Sequence, residues 1–191
     1  MEAFLKAWLL RILPEECSFS THPFRGKSDL LRKLDDRLKA YSQWLPPGHR
    51  IVVVVDRDNE DCIELKERLK AACMASGLRM KNNNPTDFWQ VTIRIAIEEL
   101  EAWYFGDWEA VRIAYPRVPV NVPQRAGYRN PDAIKGGTWE RFEKLLQKSG
   151  YHIGGLQKLE AAQRIGENID AARSTSASFR CLAAALNEVV V

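Results

Sequence analysis

The chain has few cysteines and histidines, with four Cys and three His among 191 residues. The cysteines form no Cys-x-x-Cys pair, which disfavours a structural zinc site or a disulfide framework. The histidines accompany no His-Glu-x-x-His or Ser-His-Asp pattern, which disfavours zinc peptidases and serine hydrolases. His22 precedes a glycine turn, where it would approach a bound phosphate. We therefore expect catalytic chemistry to depend on other side chains.

Long hydrophobic runs are also absent, since no stretch approaches the roughly 18 uncharged apolar residues typical of a membrane-spanning helix. The first residues, MEAFLKAWLLRILPEE, interrupt their apolar pattern with Glu2, Lys6 and Arg11, which predicts an amphipathic helix and not a signal peptide. We expect a cytoplasmic protein without membrane attachment. A net charge of +3 permits a nucleic-acid partner without requiring one.

Glycine-rich nucleotide-binding loops are missing as well, because neither Gly-x-x-x-x-Gly-Lys-Ser/Thr nor Gly-x-Gly-x-x-Gly occurs. The nearest sequence is Arg25-Gly26-Lys27-Ser28, which has the end of a phosphate-binding loop without its beginning. In a strand-to-helix turn, Lys27 would contact a phosphate beside the helix N-terminus. The alternative is an ordinary lysine on a solvated loop.

The hydrophobic periodicity alternates between helical and extended along the chain. Apolar residues at helical spacing predict helices over 2–13, 29–44 and 60–76, and another after residue 97. Alternating or uniformly β-branched stretches predict strands over 17–24, 51–55 and 88–97. Because helices and strands alternate, we predict an α/β fold with a mostly parallel sheet flanked by helices.

The composition changes near residue 116, where Pro, Gly and Arg become frequent. We predict an α/β core over 1–125, followed over 126–191 by a loop and a C-terminal helical extension packed on the core. The helices of the extension are expected at about 138–149, 155–168 and 176–190. An α/β domain usually opens with a strand, whereas this chain opens with a predicted helix.

Two aspartates follow the most hydrophobic predicted strand, in the sequence IVVVVDRDNEDC. The five β-branched residues predict a central parallel strand buried on both faces, and functional groups of such sheets gather at the carboxyl ends of the strands. Asp56 and Asp58 are two residues apart, so in extended backbone their side chains point the same way. They would then share a hard divalent cation such as Mg²⁺ or Mn²⁺. The alternative is that Asp58 caps the next helix.

A second group of acids, Glu98, Glu99 and Glu101, follows the next predicted strand in VTIRIAIEELEAW. If the two strands are neighbours, both groups of acids face each other, and clustered carboxylates favour a cation among them. Alone, the glutamates would be explained by the preference for acids in the first turn of a helix. Together with Asp56 and Asp58, they predict a metal site.

Four segments together resemble the domain-of-unknown-function family 4276, whose members are Toprim-like: HPFRGKSDLLRKL, VVVVDRDNEDC, RIAIEELEAWYFGD and the STSASF stretch. The resemblance covers nearly the whole chain. It implies a Toprim fold, related to the overcoming-lysogenization-defect nucleases, with a small parallel sheet between helices and a Mg²⁺ or Mn²⁺ cofactor. It also implies a strand with a glutamate motif before the first helix. Met1-Glu2-Ala3-Phe4 starts after that position, so we expect this first strand to be missing.

The resemblance assigns roles to particular residues. The metal-binding Asp-x-Asp pair corresponds to Asp56 and Asp58, and the acids before Ala-Trp correspond to Glu99 and Glu101. Asp107 matches the aspartate that follows. The implied metal ligands are Asp56, Asp58 and Glu101, the implied catalytic residues are these three with Glu99, and the residues expected to contact phosphate or nucleic acid are Lys27, Arg25 and Arg57.

The leading functional hypothesis is therefore a metal-dependent nuclease that acts on nucleic acid and is paired with an ATPase in phage defence. A second hypothesis is a regulatory or binding partner of an ATPase, with a Toprim-like core that lacks catalysis because the first glutamate is missing. A third is a phosphatase of the haloacid-dehalogenase type with Asp56 as its nucleophile. Against the third, no Gly-Thr follows Asp-Arg-Asp.

Overall fold

A computed structural model describes residues 1–82, 84 and 87–188. In this part of the chain, two strands form a parallel pair, β1 (Ile51–Asp56) and β2 (Val91–Ala96), in continuous register from Ile51 opposite Val91 to Asp56 opposite Ala96. The helices of the described residues are α1 (Glu2–Ile12), α2 (Lys27–Ser42), α3 (Cys62–Ala75), α4 (Leu100–Gly106), α5 (Trp108–Ala114), α6 (Thr138–Lys148), α7 (Lys158–Gly166) and α8 (Ala177–Asn187). The α/β class and the parallel pairing are as predicted.

Both faces of the strand pair are covered, as the uniformly apolar sequence of β1 indicates. Val53 and Val55 belong to a buried cluster with leucines of α2 and α3. Val52 and Val54, which point to the other face, pack against a larger cluster built mainly from helices. The sheet therefore has little exposed apolar surface, and polar groups gather at its two ends.

The larger cluster is rich in aromatic rings, which join the first helix to the last. Phe179 of α8 lies 4.8 Å from the ring of Trp8 and 5.2 Å from that of Trp103, centroid to centroid. Phe4 of α1 contacts the same rings. Residues of α6 and α7 belong to the same cluster. The helices of the predicted extension thus share a core with α1 and α4.

The sequence 17–24, predicted as a strand, forms none. Its side chains do alternate between partly buried and exposed from Cys17 to Thr21, which is the alternation that suggested a strand. The backbone, however, pairs with no strand among the described residues, and a strand exists only where its N–H and C=O groups are paired. The prediction of a strand here was wrong because side-chain alternation does not reveal whether a pairing partner is available.

The helix predicted after residue 97 is two helices. It breaks at Asp107, which ends α4 and accepts a hydrogen bond from Ala110 N as the N-cap of α5. The segment over 116–137, where Pro, Gly and Arg are frequent, contains two short 3-10 turns, Val122–Gln124 and Pro131–Ala133. In the described part of the chain, no helix is long and apolar enough to cross a membrane.

Candidate functional site

The carboxyl ends of β1 and β2 bring the two groups of acids together, as the sequence predicted. Backbone pairing continues beyond the strands: Arg57 N donates to Ala96 O (2.9 Å) and Asp58 N donates to Glu98 O (2.8 Å). Both Asp58 and Glu98 have left-handed backbone, with φ of 52° and 65°. Such φ values are uncommon outside glycine and occur often at functional sites. The chain thus leaves both strands through unusual conformations at the same edge.

Asp56 is the most unusual carboxylate of this edge. Its Oδ1 is buried and has no hydrogen-bond partner. Burial, with smaller contributions from the charges of Asp58 and Glu99, raises the Asp56 pKa to about 6, although the amino terminus and Lys27 act in the opposite direction. A buried carboxylate oxygen without a donor is costly, so it marks a place where a proton or a cation is expected.

Glu101, in the first turn of α4, is the most deeply buried acid of the group, with 7% of its surface exposed. Burial raises its pKa to about 7, and the charges of Glu99 and Asp56 act in the same direction. Lys158, the first residue of α7, partly offsets this effect. Asp56, Glu99 and Glu101 therefore form an electrostatically coupled group.

Glu99 has a structural partner that the sequence did not indicate. Its Oε2 accepts hydrogen bonds from Thr138 Oγ1 (2.9 Å) and Trp139 N (3.1 Å). Because α6 begins after Gly137, Glu99 satisfies a free backbone N–H at the helix N-terminus. One oxygen of this predicted catalytic acid is therefore used to hold α6.

Trp139 and Lys158 are site neighbours that the sequence analysis missed. The Lys158 ammonium lies 4.2 Å from the centre of the Trp139 ring, within cation–π distance. Both residues come from the C-terminal helices, and no motif or spacing relates them to the strand ends. A possible sequence signal was Gly136-Gly137, a pair with φ of 77° and 75° that positions the start of α6.

Lys27 is largely buried and pairs with two acids of the protein. Its ammonium lies 2.7 Å from Asp58 Oδ2 and 2.9 Å from Glu60 Oε1, and it donates to Arg57 O at 2.7 Å. Burial opposes the charge of Lys27, but the two acids raise its pKa overall. Lys27 therefore connects the start of α2 to the loop after β1. Its ammonium already forms an ion pair with the Asp58 carboxylate. The cap of α3 is Asp61, not Asp58.

The other predicted phosphate contacts are also near this loop. Arg57 forms an ion pair with Glu98, so the second acid group neutralises it. Arg25 is exposed, and its backbone N–H donates to Asp29. His22 is exposed as well and contacts Ser20 through its ring nitrogen at 3.2 Å. The phosphate roles predicted for Arg57 and Arg25 are not tested by these contacts.

Asp107 is buried in a polar network away from the acids. Its carboxylate accepts two hydrogen bonds from Arg173, at 3.1 and 2.8 Å, and one from Asp170 N at 2.8 Å. Together with its cap of α5, these contacts tie the break between α4 and α5 to the segment before α8. These contacts give Asp107, the aspartate that follows the Ala-Trp pair, a structural role, which explains its presence without a role in catalysis.

The STSASF stretch has a comparable structural purpose. Ser176 caps α8 by accepting from Phe179 N, and the Ser176 hydroxyl donates to Asp132 Oδ1 at 2.7 Å. Asp132 also accepts from the backbone N–H and the hydroxyl of Ser178. Trp103 Nε1 donates to Ser178 Oγ at 2.9 Å, which links the network to the core behind the acids.

The acids of the strand edge fit a hard divalent cation in their chemistry. Among the described residues, no group of three or more His, Cys, Asp or Glu side chains converges closely enough to enclose a metal ion. Mg²⁺ does not require such a cage, because proteins usually bind it through one or two carboxylates while water fills the remaining positions. The unpartnered Asp56 Oδ1 is an oxygen of the required kind. The metal prediction is therefore compatible with the residues present.

One of three comparisons with known proteins finds a match, and it covers nearly the entire chain. The family described as Domain of unknown function (DUF4276) matches residues 1–188. Searches among curated proteins and among solved structures find no match. The family match includes both acid-bearing strand ends, the α4–α5 break at Asp107 and the serine segment before α8. The chain belongs to the DUF4276 family.

Proposed function

We propose that this protein is a Toprim-like, Mg²⁺- or Mn²⁺-dependent nuclease whose site lies at the carboxyl ends of β1 and β2. One observation carries the proposal: Asp56 Oδ1 is buried without a hydrogen-bond donor, next to two other carboxylates. A structural aspartate would be expected to have a donor for each buried oxygen, as Asp107 does. The missing partner of Asp56 is most simply a cation.

In this proposal, Asp56 and Glu101 hold the cation. When bound, it would act as a Lewis acid on a phosphodiester and lower the pKa of a water molecule. Asp58 would add a third oxygen after exchanging its Lys27 contact. Glu99, fixed by α6, would contribute its negative charge and restrain the first turn of α4. Asp56, Glu99 and Glu101 are the acids on which hydrolysis would depend.

Cationic groups around the acids support a phosphate-containing substrate. Lys27 lies on one side of the edge and Lys158 acts electrostatically on Glu101 from another. If a cation took the place of Lys27 beside Asp58, the Lys27 ammonium would be available for a phosphate oxygen. Arg25 is exposed near the same turn. A nucleic-acid phosphodiester is the substrate class that fits both the surrounding cations and a hard divalent metal ion.

The test compares metal binding and hydrolysis in matched variants. Calorimetry should detect Mg²⁺ or Mn²⁺ binding to the protein but not to Asp56→Asn, and labelled single-stranded DNA, duplex DNA and RNA should be cut only when the metal is present. Asp36→Asn, on the exposed surface of α2, makes the same chemical change away from the site and should behave like the unaltered protein. Equal cleavage by Asp56→Asn, or no metal binding by the unaltered protein, would overturn the proposal.

A second candidate function is a catalytically impaired partner of an ATPase, within a cytoplasmic phage-defence pair. It is favoured by a specific contact, since Lys27 already pairs with Asp58, the proposed third metal ligand, and with Glu60. This candidate predicts that neither Mg²⁺ nor Mn²⁺ binds, even in Lys27→Met, and that the protein co-purifies with an ATPase. Metal binding gained in Lys27→Met would instead identify Lys27 as a competitor of the metal.

A further inference from the structure

The opposite end of the same two strands has a cluster of cations and aromatic rings. Arg50 immediately precedes β1, and Phe88 and Trp89 precede β2. Arg79 lies beside them, since Gln90 N donates to Arg79 O and Met80 forms a parallel bridge with Val91. We call Arg50, Arg79, Phe88 and Trp89 the Arg50 cluster. None of these four residues belongs to the acidic site.

The cations of the Arg50 cluster lie within cation–π distance of its rings. The Arg50 guanidinium lies 4.3 Å from the centre of the Phe88 ring and 5.5 Å from that of Trp89. The Arg79 guanidinium lies 5.8 Å from the centre of the Phe88 ring. Trp89 is buried, whereas Phe88 is 48% exposed. The Phe88 ring therefore remains partly open to solvent beside two guanidinium groups.

The charges of the Arg50 cluster are not balanced within the described residues. Neither Arg50 nor Arg79 forms an ion pair with any acid among the described residues, and Arg50 Nε is buried without a hydrogen-bond partner. Asp87, which lines the adjoining pocket, accepts hydrogen bonds from the side-chain amides of Asn82 and Asn84 and forms no ion pair with Arg50 or Arg79. Two guanidinium groups beside one carboxylate leave a net positive charge next to the aromatic rings, so an anion would be favoured there.

We propose that the Arg50 cluster binds single-stranded nucleic acid, with a base stacked on Phe88 and phosphates contacting Arg50 and Arg79. Aromatic rings combined with a positively charged groove are the usual means of binding single strands without sequence preference. A shallow pocket of about 500 Å³ lined by Arg79, Met80, Asn82, Asp87 and Phe88 adjoins the ring and can admit a base. An acidic peptide would satisfy the guanidinium groups but would leave the exposed ring unused.

The Arg50 cluster and the acidic site lie at opposite ends of a six-residue strand pair, about 20 Å apart at roughly 3.3 Å per residue. A single strand of a few nucleotides would reach both. The Arg50 cluster would then bind a part of the substrate that is several nucleotides away from the phosphodiester to be hydrolysed. That role in substrate binding depends on the proposed nuclease function, whereas binding itself does not and can be measured with the metal removed.

The test measures binding of fluorescein-labelled oligothymidylate by fluorescence anisotropy in EDTA. The protein should bind the single strand, Phe88→Ala should weaken binding about tenfold, and Phe88→Trp should restore most of it. Arg79→Ala should weaken binding and reduce its dependence on salt. Trp44→Ala removes another exposed aromatic ring, outside the Arg50 cluster, and should leave binding unchanged.

Two results would overturn the proposal. One is equal binding of oligothymidylate by the unaltered protein and Phe88→Ala. The other is binding of polyglutamate as strongly as of the oligonucleotide, which would indicate an acidic protein partner. A protein that binds single strands but never cuts them would contradict the proposed function and leave the Arg50 cluster as a binding site.

Discussion

The Lys27 ammonium lies 2.7 Å from Asp58 Oδ2 and contacts Glu60 as well. Its side chain is 15% exposed, and removing it leaves the charges of two neighbouring acids without their shared cation. We expect Lys27→Met to lower the free energy of unfolding by about 1–2 kcal/mol, less than for a buried pair because both acids are partly exposed. Urea denaturation measures the change.

Lys70→Met is the matched control for Lys27→Met, because Lys70 pairs with a single acid, Glu67, on the surface of α3. Its removal should change the free energy of unfolding by less than about 0.5 kcal/mol. Equal effects of the two substitutions would contradict a special role of Lys27 in holding the loop after β1.

The buried carboxyl of Glu101 makes stability depend on pH. Its pKa is raised to about 7 in the folded protein, so the folded state keeps a proton that the unfolded state releases near pH 4.5. Its contribution to stability is therefore complete below pH 4.5 and is lost as the pH rises to about 7. In EDTA, Glu101→Gln should flatten this decline and stabilise the protein at pH 8 by up to about 3 kcal/mol.

Thermal denaturation of Glu101→Gln and the unaltered protein at pH 5 and pH 8 measures this difference. A change of equal size at both pH values would show that Glu101 is not protonated in the folded protein. Mg²⁺ should stabilise the unaltered protein more at pH 8 than at pH 5, because the cation and the proton compete for the same oxygens. Glu101→Gln should lose most of that metal effect.

Asp107 is expected to be essential for stability although it is not among the proposed catalytic residues. Asp107→Asn weakens two hydrogen bonds from Arg173 and removes the charge from a side chain that is 1% exposed. We expect a loss of roughly 2–3 kcal/mol in the free energy of unfolding, moderated because Arg173 is 42% exposed. Asp170→Asn, which also faces Arg173 but is 44% exposed, should cost much less. Reversed effects in urea denaturation would refute this assignment.

Gly106 has no space for a side chain. A Cβ there would lie 2.7 Å from Ser174 Oγ and 2.8 Å from Ser176 Cβ, closer than normal packing permits. We expect Gly106→Ala to destabilise the protein by about 2 kcal/mol, because the overlap exceeds the gain in helix propensity. At Gly154, where nothing lies within 4 Å, the same substitution should be neutral or slightly stabilising. Comparing the two denaturation midpoints decides between steric overlap and a general effect of alanine.

The strand ends were predictable because their information is local. Five β-branched residues before Asp56 predict a buried strand, and the carboxyl ends of parallel neighbours necessarily meet at one edge. The pairing of β1 with β2 therefore brings Asp56 and Glu99 together without further information. The failed strand at 17–24 shows the limit of this reasoning, since pairing depends on a partner that alternation does not reveal.

The partners of the acids were not predictable, because they come from distant helices. Nothing in the sequence around Glu99 indicates that Trp139 N donates to it, 40 residues later in the chain. Likewise, Lys27 resembled the end of a phosphate-binding loop, yet the fold places it against Asp58. Such pairings depend on how the helices pack on the sheet, which periodicity alone does not determine.

The hydrogen bond from Trp139 to Glu99 also orders the events of folding during synthesis. β1 and β2 can pair as soon as residue 96 has left the ribosome, but the partner of Glu99 is made 40 residues afterwards. At a synthesis rate of about 5–20 residues per second, Trp139 is added roughly 2–8 s after Glu99. A chain that stalls or is cut in the proline-rich connection before α6 would have paired strands and an unrestrained Glu99. The acidic edge is therefore completed only after the sixth helix has joined it.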